Sequence, residues 1–194
     1  MPILQNLEMS PQEKAQHLET WKRESNQLIV DSRITKRDLS RALFASSLVL
    51  RPGVYELVSL CQANEIPLTI VSAGVGDVIA LALAAVGSLE GIDIRANFIE
   101  WDEAGCVCGF QEPGVSSNRK SLALAGETLR PNVLVLGDAC GDVEAVAKSS
   151  FTEALCLGFN TEMAKLEEYQ RHFDGLFHGE SDLDFVNQLL EACM

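Results

Sequence analysis

The feature that most constrains the fold is a run of four apolar residues, residues 133–136, which ends abruptly at Gly137. Short apolar runs bounded by turn residues are typical of strands that are buried on both faces of a parallel sheet. Asp138 and Asp142 follow within a few residues, so we expect both carboxylates just past the carboxyl end of this strand. Open α/β sheets bind their ligands at that edge. Two carboxylates there suit Mg²⁺, which takes oxygen ligands and usually keeps several waters.

Strand-like and helix-like segments alternate from residue 54 onward, which predicts an α/β fold: a parallel sheet with helices on both faces. The residues Glu103-Ala104-Gly105 indicate the turn of a hairpin within this pattern. We predict strands at residues 67–71, 92–99, 106–110, 133–136, 154–157 and 175–177, and helices at 54–64, 75–86, 120–129, from 143, 161–172 and 183–193.

The first 47 residues differ from the rest because helices, and no strands, are predicted there. Residues 13–30 and 36–46 are predicted to form two amphipathic helices joined by residues 31–35. Thr35 is a plausible N-cap of the second helix, with Asp38 three residues later. We therefore expect a helical segment, 1–47, followed by an α/β core, 48–194.

Charge and cysteine usage narrow the class of protein. The 194 residues carry a net charge of −13, which argues against a partner such as nucleic acid or a membrane surface. The chain also lacks an apolar run of the roughly 18 to 20 residues that span a membrane. It shows no signal-peptide pattern at its start, so we expect a cytoplasmic protein. The six cysteines are scattered without a CxxC pair and are expected to be free thiols.

Two further segments are candidates for binding an anion. Ser72, Ala73 and Gly74 stand between a predicted strand and a predicted helix, where a glycine and free backbone N–H groups suit a phosphate. Arg119 and Lys120 stand at the start of another predicted helix and could neutralise the same phosphate. Each segment also has a plain structural interpretation. The first could be an ordinary turn between a strand and a helix, and the second could be a solvated basic helix start.

The order of these segments resembles the haloacid dehalogenase superfamily of phosphohydrolases. The pieces SAGVGD (72–77), NFIEWDEAGCVCGF (97–110) and LGDACGD (136–142) narrow the resemblance to the cytosolic 5'-nucleotidase III family, also called pyrimidine 5'-nucleotidases, over residues 20–194. The resemblance implies a haloacid-dehalogenase-like Rossmannoid parallel sheet with a remnant of a helical cap. It also implies Mg²⁺-dependent hydrolysis of nucleoside 5'-monophosphates through an aspartyl-phosphate.

The resemblance also assigns roles to residues of this chain. Ser72 and Ala73 would bind the substrate phosphate, Asp138 would bind Mg²⁺, and Asp142 would hold the metal's second shell. The third motif of the family is Asn-Lys, where this chain has Asn118-Arg119-Lys120. Alignment puts Arg119 in the place of the lysine, whereas chemistry favours Lys120, and we favour Lys120.

The chain departs from the family at the first motif, Asp-x-Asp-x-Thr, which supplies the nucleophile and the general acid and which the 194 residues lack. Asp31 mimics the nucleophile because it follows an apolar run and precedes Thr35 by four residues, but Arg33 stands where the general acid belongs. We favour a turn between two cap helices for this segment.

In the superfamily, the nucleophile strand lies between the strands that end here at Ser72 and Asp138. Three outcomes are open for this chain: residues 27–30 fill the position, the sheet closes up, or the chain is an incomplete version of a longer protein. We expect the last. Two functions then compete, a Mg²⁺-dependent 5'-nucleotidase and a catalytically dead relative that binds nucleotide or a protein partner without turnover.

Overall fold

A computed structural model describes residues 10–85, 87, 89–117, 119–160, 166–179 and 181–194. The helices are α1 (Pro11–Asp31), α2 (Lys36–Ala45), α3 (Val54–Ala63), α4 (Gly76–Ala84), α5 (Cys140–Val143), α6 (Leu166–Tyr169) and α7 (Asp184–Ala192). The strands are β1 (Leu68–Val75), β2 (Ile92–Asn97), β3 (Ile99–Trp101), β4 (Val107–Phe110), β5 (Asn132–Gly137), β6 (Glu153–Asn160) and β7 (Gly175–His178).

The strands form two parallel sheets and one hairpin. β1 pairs with β2, and β5, β6 and β7 pair in that order. β3 and β4 form the antiparallel hairpin that the sequence predicts at residues 103–105. The predicted α/β class with parallel strands is therefore confirmed. The single strand predicted at 92–99 is wrong, because β2 ends at Asn97 and Ile99 already belongs to the hairpin.

The two N-terminal helices begin at well-formed caps. Ser10 forms a capping box with Glu13 at the start of α1, and Thr35 forms the predicted one with Asp38 at the start of α2. Such caps satisfy backbone N–H groups that have no partner within the helix. Residues 27–30 lie inside α1 and form no strand. A domain boundary near residue 47 stays a prediction.

Two apolar clusters lie against opposite sides of β5 and β6, as the alternation of side chains along a strand requires. Leu134 and Leu136 pack against one cluster, whereas Val133 and Val135 belong to the other. β1 takes part in both clusters, through Leu68 in the first and Val71 in the second. The two parallel sheets therefore share their hydrophobic core although they are not hydrogen-bonded to each other.

A cavity of about 890 Å³ lies between β1 and β5, and residues 68–71 and 132–136 form two of its walls. Within the described part of the chain, no strand pairs with these two facing edges. The expectations that residues 27–30 fill this position, or that the sheet closes up, are therefore both wrong. A buried backbone group without a partner costs about 1 to 3 kcal/mol, so an open gap is a substantial strain on a domain's stability of about 5 to 15 kcal/mol.

Three predicted helices differ from the observed structure. Residues 120–129 form only one 3₁₀ turn, Lys120–Leu122, because Gly126 and Leu129 donate their N–H groups to the carbonyls of Lys148 and Ser150 instead. The helix predicted from residue 143 is the short α5 followed by a 3₁₀ turn, Glu144–Val146. The helix predicted at 161–172 is observed as α6, and residues 161–165 lie outside the described part.

Candidate active site

The loop between β5 and α5 is organised around the Asp142 carboxylate. One of its oxygens accepts hydrogen bonds from the N–H groups of Asp138, at 2.8 Å, and Ala139, at 2.9 Å. The other accepts a charged hydrogen bond from the Lys120 ammonium. Both side chains are largely buried, with 15% of Lys120 and 11% of Asp142 exposed. Charge-assisted bonds of this kind are stronger than neutral ones, so Asp142 fixes the backbone of the loop.

Gly137 is the position that allows this arrangement. A Cβ atom built there would lie 2.4 Å from the Asp142 Cβ and 2.5 Å from one of its carboxylate oxygens. Neither contact is possible for real atoms, so a larger residue would push the Asp142 carboxylate away from the N–H groups that it accepts from. The Gly-Asp pattern in the sequence thus reflects a steric requirement of the loop.

Asp138 has the opposite character. Its side chain is exposed, and no described residue donates a hydrogen bond or forms an ion pair to its carboxylate. Its main chain is held instead, because the buried Tyr169 hydroxyl donates to the Asp138 carbonyl oxygen. At the carboxyl end of β5, the loop therefore holds the Asp138 backbone and presents a carboxylate that no residue of the described part of the chain pairs with.

The Ser72–Gly74 segment lies at the carboxyl end of β1. It belongs to the strand, whose pairing with β2 is irregular between Val71 and Val75, and α4 begins directly afterwards at Gly76. The Ser72 hydroxyl oxygen accepts the Gly74 N–H at 3.1 Å, which leaves the hydroxyl proton available to a ligand. The predicted turn between strand and helix is thus an irregular strand end that is half-buried at Ser72.

Asn97, at the carboxyl end of β2, supports this segment and was not identified from the sequence. Its side chain is 4% exposed, and its amide donates to the carbonyls of Ala73 at 2.8 Å, Gly74 at 3.3 Å and Val115 at 2.9 Å. Its carbonyl oxygen accepts from the Lys22 ammonium at 2.9 Å. A polar residue near the carboxyl end of the strand predicted at 92–99 was the available signal.

Lys22 brings a second cation to this edge from α1. It also donates to the Val115 carbonyl at 2.9 Å, and burial lowers its pKa against the raising effect of Glu112. The pKa of a lysine side chain shifts readily when the ammonium is removed from water. The sequence offered no signal for Lys22, because its partner Asn97 is 75 residues away.

One short segment, residues 115–120, joins the two halves of the site. Val115 contacts Asn97 beside the Ser72–Gly74 segment, whereas Lys120 contacts Asp142. Between them, the Ser117 carbonyl lies 3.3 Å from a Cβ atom built on Gly141. Since a chain extends at most about 3.6 Å per residue, the backbones of Val115 and Lys120 are at most about 18 Å apart. Asn118 lies outside the described residues.

Arg119 and Asp31 point away from this centre. Arg119 forms an exposed ion pair with Glu19 of α1, with 56% and 45% of the two side chains accessible. Asp31 is exposed at the end of α1, where it accepts a hydrogen bond from Gln27. It is nine residues beyond Lys22, about 14 Å further along the helix axis. Of the two candidate cations, Lys120 is therefore the one that contacts the β5 loop.

We expect Asn97→Ala to lower the free energy of unfolding by about 2 to 3 kcal/mol, since the carbonyls of Ala73, Gly74 and Val115 and the Lys22 ammonium would lose a partner, and the Asn97 side chain itself is buried. Asn64→Ala is the matched control, because Asn64 is exposed and its side chain donates to the Leu60 carbonyl of its own helix. The free energy of unfolding of the Asn64→Ala variant should stay within about 0.5 kcal/mol of the wild-type value. Urea unfolding measures both. Equal changes for the two variants would contradict the role given to Asn97.

The arrangement of strands and loops defines a haloacid-dehalogenase-like α/β protein. A crystal structure of cytosolic 5'-nucleotidase IIIB bound to cytidine superimposes with a TM-score of 0.79 and 24% sequence identity, covering 98% of this chain and 67% of that chain. The family model for pyrimidine 5'-nucleotidase (UMPH-1) matches residues 1–194. The chain belongs to the pyrimidine 5'-nucleotidase family, as its sequence motifs predict.

Two 5'-nucleotidases from animals match almost the whole chain. It is 28% identical to the 7-methylguanosine phosphate-specific 5'-nucleotidase of Homo sapiens, over 92% of this chain and 63% of the relative. It is 27% identical to cytosolic 5'-nucleotidase 3 of Caenorhabditis elegans, over 98% of this chain and 54% of the relative. The chain thus spans between half and two thirds of the length of these relatives.

The predicted cytoplasmic location agrees with the word cytosolic in the name of the Caenorhabditis elegans relative. None of the helices that the structure describes has the length and apolar character needed to cross a bilayer.

Proposed function

We propose that this protein acts on nucleoside 5'-monophosphates as a Mg²⁺-dependent 5'-nucleotidase, releasing nucleoside and inorganic phosphate. One observation carries the proposal. Val115 bonds to Asn97, which supports the Ser72–Gly74 segment, and Lys120, five residues later, bonds to Asp142 in the Asp138 loop. The names of the matched relatives, which are 5'-nucleotidases, supply the substrate class.

The phosphate of the substrate is proposed to bind at the end of β1. The Ser72 hydroxyl and the backbone N–H group of Ala73 are its donors, whereas the Gly74 N–H is held by the Ser72 hydroxyl oxygen. Asn97 holds the carbonyls of Ala73 and Gly74. Lys120 supplies positive charge from the other half of the site. Because Asp142 holds the Lys120 ammonium, we assign Lys120 a positioning role and leave Arg119 on the surface.

The residues present fit Mg²⁺. Magnesium sites in phosphate-processing proteins commonly use one or two carboxylates, with substrate oxygens and waters as the remaining ligands. Asp138 provides one carboxylate that is exposed and has no partner among the residues that the structure describes, whereas both oxygens of Asp142 already accept hydrogen bonds. Asp138 would therefore be the ligand, and Asp142 would orient it through the loop. When bound, the cation would neutralise charge on the phosphate.

A second function is favoured by a specific observation: binding of nucleotide without turnover. Hydrolysis through a phosphorylated aspartate needs a carboxylate beside the metal ligand. Among the described residues of the site, Asp142 is occupied by Lys120 and two N–H groups, and Asp31 lies at the far end of α1. A protein that holds substrate and cation but lacks this group would bind and not react.

One pair of assays on the full chain separates these functions. Phosphate release from cytidine, uridine and 7-methylguanosine 5'-monophosphates is measured with Mg²⁺, and binding of the same compounds is measured by calorimetry. Release that Asp138→Asn abolishes supports the nucleotidase. Binding without release supports the second function, and absence of both contradicts the proposed site.

A further inference from the structure

Tyr169 brings a hydroxyl to the backbone of the β5 loop, although it lies 31 residues beyond Asp138 in the sequence. Its side chain is buried, and its hydroxyl donates to the carbonyl oxygen of Asp138. A buried hydroxyl needs a hydrogen-bond partner, because removing an unpaired one from water is costly. Here the partner is a backbone group of the residue whose carboxylate is the proposed Mg²⁺ ligand.

The peptide group between Asp138 and Ala139 is held at both of its ends. Its carbonyl oxygen accepts from Tyr169, and its N–H group donates to the Asp142 carboxylate at 2.9 Å. The preceding peptide group is held as well, because the Asp138 N–H donates to the same carboxylate oxygen at 2.8 Å. Since a residue has only two soft backbone dihedrals, holding both adjacent peptide planes fixes the direction of the Asp138 Cα–Cβ bond.

The Tyr169 ring is itself held in place by packing against β6. It stacks on the buried ring of Phe173, with the two centroids 5.7 Å apart. A Cβ atom built on Gly158 of β6 would lie 2.8 Å from the Phe173 ring, so glycine leaves the space that this ring needs. Gly158 pairs with Gly137 at the end of β5. The strand beside β5 therefore sets the position from which the hydroxyl reaches the loop.

We propose that Tyr169 is a positioning residue for the metal ligand: by holding the Asp138 carbonyl, its hydroxyl directs the Asp138 carboxylate toward Mg²⁺. This role rests on the proposed function, in which Asp138 binds the cation. The Asp138 side chain is exposed and has no partner among the described residues, so its backbone is what limits its direction. Magnesium demands near-ideal octahedral geometry, so a ligand that turns freely binds it less tightly.

Tyr169→Phe tests this role, because it removes the hydroxyl and keeps the ring that stacks on Phe173. The full chain is titrated calorimetrically with cytidine 5'-monophosphate at a series of Mg²⁺ concentrations, and the Mg²⁺ concentration that gives half of the gain in nucleotide affinity is determined. We expect this concentration to rise about tenfold, the lower end of the range for residues that support metal ligands. Affinity without Mg²⁺ should not change, since Asn97 supports the Ser72–Gly74 segment.

Two control variants separate positioning from stability. Tyr55→Phe removes the hydroxyl of the chain's other tyrosine, which is exposed on α3. Val186→Ala truncates a fully buried side chain in the apolar cluster to which Tyr169 does not belong, so it lowers the free energy of unfolding. Both controls should keep the wild-type Mg²⁺ requirement, even where the stability of Val186→Ala falls below that of Tyr169→Phe.

Each outcome bears directly on the role of Tyr169. A tenfold higher Mg²⁺ requirement in Tyr169→Phe alone supports it. An unchanged requirement in Tyr169→Phe, with Mg²⁺-dependent binding in the wild type, overturns this role and leaves the proposed function standing. An equal rise in Val186→Ala also overturns it, because lost stability would then explain the effect. Wild-type affinity that does not depend on Mg²⁺ overturns the proposed function and this role together.

Discussion

Asp142→Ala should lower the free energy of unfolding by about 3 to 5 kcal/mol, because it leaves a largely buried lysine charge without its partner. The variant also frees the N–H groups of Asp138 and Ala139 from their acceptor. Together these changes remove the contacts that fix the β5 loop to the segment containing Lys120. Urea unfolding, with the slope of the transition checked for two-state behaviour, measures the change.

Asp138→Ala is the matched control for Asp142→Ala. It removes a carboxylate from the same loop, but this carboxylate is exposed, so its change should stay within about 0.5 kcal/mol. The double variant Asp142→Ala/Lys120→Met should recover part of the loss, because it removes the unpaired charge. Similar losses for the two aspartates, or no recovery in the double variant, would show that the Lys120–Asp142 pair does not organise the loop.

Asp138→Asn should weaken Mg²⁺-dependent binding of a nucleoside 5'-monophosphate by at least about tenfold, the scale on which even supporting residues alter metal sites. The amide keeps the size of the side chain and loses the negative charge that attracts the cation. Stability should hardly change, since no described residue pairs with this carboxylate. Calorimetric titration at saturating Mg²⁺ measures the affinity.

Asp31→Asn provides the control for the binding experiment. Asp31 is exposed at the end of α1 and contacts Gln27, so its loss should leave nucleotide affinity unchanged. A loss of affinity with Asp31→Asn that equals the loss with Asp138→Asn would return Asp31 to consideration as the nucleophile. Unchanged affinity in both variants would remove Asp138 from the metal site.

The parts of the site that could be predicted are those coded by neighbouring residues. The apolar run before Gly137 marks β5, and the carboxylates of Asp138 and Asp142 follow it because of local chain geometry. The sequence could not distinguish the two carboxylates, however. One is exposed and the other is buried against Lys120, which is 22 residues away, and only tertiary packing decides this difference.

The parts that could not be predicted depend on long-range contacts. Asn97 supports Ala73 and Gly74 because β2 lies beside β1, and Lys22 joins them from a helix 75 residues earlier. Residues 120–129 have a helical pattern, but the N–H groups of Gly126 and Leu129 bond to the carbonyls of Lys148 and Ser150 instead. The gap between β1 and β5, by contrast, lies where the family resemblance places the strand of the missing first motif.

The central claim is that the edge formed by Ser72–Gly74, Lys120 and Asp138 recognises a nucleotide through its phosphate and Mg²⁺. Calorimetric titration of the wild-type chain with cytidine 5'-monophosphate and with cytidine, each with and without Mg²⁺, tests it most directly. We expect the monophosphate with Mg²⁺ to bind at least about tenfold more tightly than in the other three conditions, because charged hydrogen bonds and the cation act only on the phosphate. Equal affinity for cytidine and its monophosphate, or affinity that does not depend on Mg²⁺, would contradict the account.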